Sequence, residues 1–461
     1  MRHNICWRWK AYRKSRENKK LKKRIRRLEK SRDSWKAKAH KANEELKKKL
    51  LKQLGEVNPK KYAFKLNIIQ LLLQQKLWTS ASFRAVSKMF SVTNLLLKIA
   101  CNNPTHTTII NWVHKIGYYQ LSRKKEKEDD WIIVLDHSIQ LGKDKVFVIL
   151  GIREKNIDFS KPLQFQDLLP LREISKDKWN GDLVKETLSE LKEEIGQIKY
   201  AVGDYGSDIK KGLKLAEIPH IHDITHKIAL ILEKLYEEDK QFKKLTVGMS
   251  AMRNKFSQSG IAHIIPPSQR SKSRYQNINI ISDWCMKAII SIEDKKTDNA
   301  IKKRLKWLKR YKDFIEELSN LNHVICAIEK IVKSFGVSKS TVKECVKLMG
   351  SIKGEKSLIF KDELIKYFEE TMTLLPQTEN ILCTSDILES AFGKYKNYVS
   401  KNPMAGITNL VLAIAAFTSK LEQKEIKDAL EKVKTANVKE WTKKFIGKTL
   451  LQKRREFFAA A

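Results

Sequence analysis

The sequence predicts a mixed α/β core set inside an otherwise helical, strongly basic chain. Two patterns carry that expectation. Between residues 131 and 226, short runs of β-branched and aromatic residues recur between turn signals, whereas elsewhere the apolar residues repeat at helical spacing. Two of those short runs also end in an aspartate: Trp131-Ile-Ile-Val-Leu-Asp136 and Lys199-Tyr-Ala-Val-Gly-Asp204. A carboxylate on an apolar strand is costly unless it is paired or meets a cation.

The elements follow in chain order. Residues 1–56 read as one basic helix in which Leu21, Ile25, Leu28, Trp35, Ala39, Ala42 and Leu46 alternate at spacings near four and three, with Arg32 breaking the series. That is a short heptad pattern, and two readings stand: a coiled-coil dimer, or a solvated helix ordered only on DNA. Residues 57–122 form a helical domain with helices at 64–77, at Ser82–Phe90 with Ser82 as N-cap, and at 105–117, opened by Thr105 and closed by Gly117. In the third helix Thr107, Thr108, Asn111, His114 and Lys115 offer a polar face, opposite Ile109, Ile110, Trp112, Val113 and Ile116. This arrangement resembles a helix-turn-helix with 105–116 reading DNA, although 91–104 is longer than the usual turn; a plain three-helix domain is the alternative.

A charged linker at 121–130 leads into strands at 131–141, 145–153 and 163–174, a helix at 179–195, a strand at 198–204, a short helix at 208–217, a strand at 220–226 and a helix from Lys227. The order β-β-β-α-β-α-β-α over 128–228 is what a ribonuclease H-like sheet requires. Residues 229–380 read as a helical insertion with breaks near 260–267 and 350–354. Within it, 332–342 has a weak helix-turn-helix pattern with Ser338 as N-cap, better read as an αα-corner. Residues 381–402 carry a core helix with Glu389, and 403–461 are basic and helical.

The formal charge is +39, and residues 1–50 alone hold 21 Lys and Arg against 5 Asp and Glu. Such a balance calls for a polyanionic partner, most simply nucleic acid. Cys6, Cys101, Cys285, Cys326, Cys345 and Cys383 are scattered without a CxxC pair, so reduced, mostly buried thiols are expected rather than a zinc ribbon or a disulfide framework. No apolar run is long enough to span a membrane, and no apolar stretch of a secretory signal follows the basic start.

Asp136, Gly203-Asp204-Tyr-Gly-Ser-Asp208, and Glu389 followed seven positions later by Lys396 resemble the motifs of the DDE transposases of prokaryotic insertion sequences. Asp223-Ile-Thr-His226 resembles a D-x-x-H motif found in several of those groups. The likeness spans roughly residues 60–400, with 185 positions between Asp204 and Glu389, far more than in compact integrases and filled by helices as in the hAT-like branch. The resemblance implies a ribonuclease H-like catalytic core, and cleavage of a DNA phosphodiester at transposon ends followed by strand transfer. Asp136, Asp204 and Glu389 would be both the catalytic residues and the ligands of two Mg²⁺ ions, for which Mn²⁺ would substitute. It further implies His226 and Lys396 as accessory groups, double-stranded DNA as partner (transposon ends and target), a homodimer, and a prokaryotic cytoplasmic, nucleoid-associated protein away from membranes.

Bland roles compete. Asp136 and Asp204 read otherwise as strand-end carboxylates capping helices, and His226 as a hydrogen-bonded core histidine. Asp386, Glu370 and Glu379 rival Glu389; His137 should be structural, Asp208 a helix cap, Gly206 the residue that permits its turn, and Trp284 and Trp307 core residues of the insertion. The alternative functions are a transposase-derived DNA-binding protein without catalysis, a ribonuclease H-like structure-specific nuclease, and a basic helical scaffold.

Overall fold

The computed structural model describes residues 2–53, 59–60, 62–97, 99, 102–139, 144–268, 275, 278–399 and 406–459, with side chains of the first helix described over 14–45. Leu46, Cys6 and Cys101 therefore lie outside the described side chains. The chain forms two compact units, Met1–Ile109 with Leu421–Glu431, and Ile110–Lys420 with Lys432–Ala461.

In the first unit, α1 (Arg2–Gln53) is a long helix, followed by α2 (Leu66–Trp78), α3 (Phe83–Leu97) and the start of α4 (His106–Ser122). Ser82 Oγ accepts from the Ala85 amide at 3.1 Å and Thr105 Oγ1 from the Thr108 amide at 3.2 Å, so both expected caps are made. Ile68, Ile69, Leu72 and Leu73 of α2 and Val86 and Phe90 of α3 are fully buried. Residues 421–431 join this unit: Gln70 Nε2 donates to the Leu421 carbonyl at 2.9 Å, and Tyr62 Oη to the Leu430 carbonyl at 3.0 Å.

In the second unit α4 runs on to Ser122 instead of stopping at Gly117. Gly117 is there for close approach: a Cβ would sit 2.0 Å from the Leu412 carbonyl oxygen. The strands and helices that follow are β1 (Glu128–Ile139), β2 (Lys145–Arg153), β3 (Leu169–Lys176), α5 (Gly181–Ile195), β4 (Gly196–Gly203), α6 (Ser207–Leu215), β5 (His220–His222) and α7 (Ile224–Tyr236). They form a mixed five-stranded sheet in the order β3-β2-β1-β4-β5. β1 and β3 pair antiparallel with β2, while β1–β4 and β4–β5 are parallel. Trp131, Ile133, Leu135, Phe147 and Ile149 pack on one face against Val184, Leu188 and Leu191 of α5 and Ile209 and Leu213 of α6. Ile132, Val134, Val146 and Val148 are buried as well, as expected for strands covered on both faces.

Three boundaries differ from the sequence expectation, each for a local reason. β1 begins at Glu128, inside the charged linker, because buried Arg153 takes up its charges: Nη1 is 2.8 Å from Glu126, Nη2 3.4 Å from Glu128, and Nε binds Asp130. β3 starts only at Leu169, since 163–168 contains a turn of 3₁₀ helix in which Asp167 accepts from the Gln164 amide at 2.8 Å. β5 ends at His222 rather than His226, because Asp223 caps α7 by accepting the His226 amide at 3.0 Å.

The insertion carries α8 (Lys240–Phe256), α9 (Ile278–Glu293), α10 (Asn299–Leu305), α11 (Lys312–Phe335), α12 (Lys339–Met349) and α13 (Glu355–Leu374). It has its own core of Leu245, Met249, Cys285, Ile289, Leu308 and Ile315, against which Trp284 and Trp307 pack. α11 ends at Gly336, whose φ of 72° suits glycine, and Ser338 caps α12. Val337, Ser338 and Thr341 are buried at this turn. Cys285, Cys345 and Cys383 are buried free thiols and Cys326 is an exposed one. After the insertion, α14 (Asp386–Val399) runs against β1 and α15 (Leu412–Phe417) against β3.

Candidate active site

The two strand-borne aspartates meet because β1 and β4 are parallel neighbours. Their register pairs Val134 with Val202, so Asp136 near the end of β1 and Asp204 just past β4 emerge at the same sheet end. Alternation along β1 turns Asp136 away from the α5–α6 face that Leu135 packs on. Asp136 Oδ1 accepts the His137 amide at 2.6 Å, and Asp204 Oδ1 accepts the Gly206 amide at 2.9 Å. Gly206 has φ −53°, so its turn needs no left-handed backbone; it needs space, since a Cβ would lie 2.9 Å from Asp204 Oδ1 and 3.0 Å from Asp208 Oδ1. Asp208 accepts the Ile209 amide at 3.0 Å and lies 3.1 Å from His137 Nε2. His137 packs between Phe147 and Trp179, which suits its expected structural role.

Glu389 arrives from the far side of the insertion. The stretch ahead of α14 is fastened to the sheet end. Val337 and Ile381 exchange backbone bonds, Leu382 N donates to Tyr200 Oη at 2.9 Å, and Ile224 N donates to the Cys383 carbonyl at 2.9 Å. Asp223 is the hub. Its Oδ2 accepts from Ser385 N at 2.6 Å and Ser385 Oγ at 2.9 Å, while Oδ1 accepts from His226 N at 3.0 Å and lies 3.2 Å from His226 Nδ1. The opposite ring edge, His226 Nε2, is 3.7 Å from Glu389 Oε1. The sequence motif named Asp223, but its link to Ser385, 162 positions away, carries no local signal.

The electrostatics tie these groups together. Burial first, then the neighbouring Asp204 and Glu389 charges, push Asp136 up to about 7, against the pull of the His137 amide and His226. The hydrogen bond to Asp223, with help from Glu389 and Asp204, outweighs burial and raises His226 to about 9, so it is cationic at neutral pH. Asp223 stays below the usual carboxylate range: burial opposes its charge, but the bonds from His226 and Ser385 win. Burial raises Glu389, with His226 and Lys333 pulling the other way.

Among Glu389's rivals, Asp386 is paired with Lys333 Nζ at 2.8 Å on α11, and Glu370 and Glu379 are exposed, as is the Glu389 side chain itself at 47%, so the His226 contact and not burial distinguishes it. Lys396 lies exposed on α14, two turns beyond Glu389. On α4, Thr107 and Asn111 are exposed, and Thr108 and Lys115 half-buried. His114 departs from the expected polar face. It is only 6% exposed, and burial lowers it to about 4, because helical spacing sets it among the inward positions beside Val113 and Gly117.

Asp136, Asp204 and Glu389 are oxygen donors suited in kind to a hard divalent cation, whose charge would relieve the repulsion that Asp136 registers. Among the described residues, however, no group of three His, Cys, Asp or Glu side chains closes into a metal-binding cluster; Glu389 reaches His226 instead. No helix among the described residues is long and apolar enough to cross a membrane.

No protein-family model and no curated protein matches the chain. Among solved structures, a Drosophila P element transposase strand transfer complex is similar at a TM-score of 0.40 and 14% identity, over 82% of this chain and 98% of that one.

Proposed function

We propose that residues 128–228 and 381–402 form a ribonuclease H-like catalytic core within the second unit and that the protein is a DNA transposase that cleaves transposon ends and transfers them to target DNA. The single observation behind this reading is that the parallel pairing of β1 with β4 brings Asp136 and Asp204 to one sheet end, to which His226, 3.7 Å from Glu389, links the third carboxylate; burial first, then the Asp204 and Glu389 charges, raise Asp136 to about 7. The strand order and the charge of +39 agree with it.

In the first step water attacks the phosphorus of a phosphodiester and loses a proton, and the P–O3′ bond breaks to leave a 3′-hydroxyl. In the second, that hydroxyl attacks a target phosphodiester, forming a new P–O bond as another breaks. Divalent cations, Mg²⁺ or Mn²⁺, held by Asp136, Asp204 and Glu389 would supply charge neutralisation at the phosphate. The chain's own contributions are distinct. His226, protonated and gripped by Asp223, orients Glu389 and offers a positive edge to a phosphate. Lys396, two turns along the same helix, is placed for the DNA backbone. Thr107 and Asn111 are the exposed groups of α4 available for reading an end sequence.

The test is excision of a marker flanked by the gene's own neighbouring DNA, comparing wild type with Asp204→Asn. Excision by wild type alone supports the reading; excision by both removes Asp204 from the chemistry. Excision by neither, with the flanking DNA still bound, favours a silent DNA-binding protein.

A further inference from the structure

We propose that α1 is a parallel dimerisation helix whose partner is the same helix of a second copy of this chain. The inference rests on the exposed face and charge register of α1 and not on the catalytic reading. Leu21, Ile25, Leu28 and Trp35 are 54%, 53%, 62% and 68% exposed, yet they lie along one stripe of the helix. Placing Leu21, Leu28, Trp35 and Ala42 at heptad position d puts Asn18, Ile25, Arg32 and Ala39 at position a. The bulky Trp35 is followed on the stripe by small Ala39 and Ala42, which leaves room for two indoles to interleave.

The charge pattern selects a second copy and its direction. In this register Lys19, Lys20, Lys23, Arg26, Arg27 and Lys30 all fall on the outer positions b, c and f. Of the acidic residues from Glu17 to Asn43, Glu17 at position g and Glu29 at position e flank the seam, and Asp33 lies at the outer position b. In a parallel pair each g residue faces the e residue five places on in the partner. Glu17 then meets Lys22, and Arg24 meets Glu29, while Ser31–Lys36 and Lys38–Asn43 bring no like charges together. At the flanking e and g positions so basic a helix avoids repelling itself because Glu17 and Glu29 are placed this way, while Arg32, which faces its own copy at position a, keeps Asp33 Oδ1 3.0 Å from its Nε. Asn18, at an a position, meets its own copy only when the helices run parallel and in register, which is the arrangement a buried Asn selects.

The experiment is sedimentation of the full-length chain at tens of micromolar, with circular dichroism to verify folding. Wild type should sediment at twice the 53.7 kDa of one chain, and Ile25→Asp with Leu28→Asp at 53.7 kDa. Glu29→Arg should weaken the dimer about tenfold, and adding Arg24→Glu should restore it. Residues five apart on one helix do not face each other, so that rescue reads contact between chains. In a background with Cys6, Cys101 and Cys326 replaced by Ser, which should itself give no linked pair, Leu28→Cys should oxidise to a disulfide-linked pair. A monomeric wild type, a dimer that survives the double aspartate variant, a charge swap that fails to rescue, or a dimer that Leu28→Cys does not cross-link would each overturn the proposal.

Discussion

Replacing Asp223 with asparagine probes the hub of the site while keeping its shape. The carboxylate accepts Ser385 N at 2.6 Å, Ser385 Oγ at 2.9 Å and His226 N at 3.0 Å, and lies 3.2 Å from His226 Nδ1. An amide serves one of those two oxygens and turns an NH₂ toward donors on the other side. With about 1–3 kcal/mol for each orphaned donor, the cost is about 3–5 kcal/mol at neutral pH. The histidine supplies the sharper readout. Its folded pKa of about 9 lies above the ordinary 6.5, so its contribution is fully present below 6.5 and is lost as pH rises through 9. That span corresponds to about 3 kcal/mol. In Asp223→Asn, burial is no longer opposed by the bonded carboxylate, and His226 should titrate near or below 6.5. The assay is an NMR titration of ¹³C-labelled histidine, with thermal midpoints followed from pH 6 to 10. Wild type should lose stability toward pH 9 and the variant should lose far less. A variant in which His226 still titrates near 9 would refute the assignment of its charge to Asp223.

Two further outcomes follow from the same geometry. Asp136→Asn removes a carboxylate held at about 7 against an ordinary 3.8, so in metal-free buffer at pH 8 it should be more stable than wild type by on the order of 2 kcal/mol. The gain should vanish as pH falls to 3.8, added Mg²⁺ should stabilise wild type alone, and a less stable variant at pH 8 contradicts the coupling. Glu389→Gln should lower excision at least about a hundredfold, whereas Asp386→Asn should change it little and cost about 1 kcal/mol or less through its Lys333 pair. The reverse ranking in the excision assay would move the third carboxylate to Asp386.

What the sequence disclosed depended on the reach of the physics involved. The runs at Ile132–Leu135 and Val146–Leu150 announce buried strands because β-branched and aliphatic residues in unbroken series have few other uses. Ser82, Thr105 and Ser338 announce helix starts because a cap is made within three residues of itself. Asp136 and Asp204 stood out by the cost of a carboxylate on an apolar strand. The extension of β1 into acidic residues was hidden, because the compensating Arg153 lies on another strand. Gly117 reads as a helix end, yet its use is contact with the Leu412 backbone, which only packing creates. His114 looked like a reading residue for the same reason: polarity is written in the sequence, and the direction a helix faces is decided by its neighbours. The bond from Asp223 to Ser385 joins residues whose separation exceeds any periodic signal.

The fastening of Ile381 through Ser385 to the sheet end has a consequence for how this chain can vary. Because Glu389 takes its position from Tyr200, Val337, Asp223 and the backbone of Ile224, it does not take it from the length of chain that precedes it. The entropic penalty of closing a longer connection grows only logarithmically, by about 0.6 kcal/mol per doubling. The exchangeable cassette is thus the stretch from α8 to α10, since α11 and α13 are held to the core by Lys333, 2.8 Å from Asp386, and by Tyr367 Oη, which donates to the His222 carbonyl at 2.7 Å. It is free to lengthen, shrink or acquire a new surface, provided that Val337 still bridges Ile381 and the returning strand of chain still delivers a serine to Asp223.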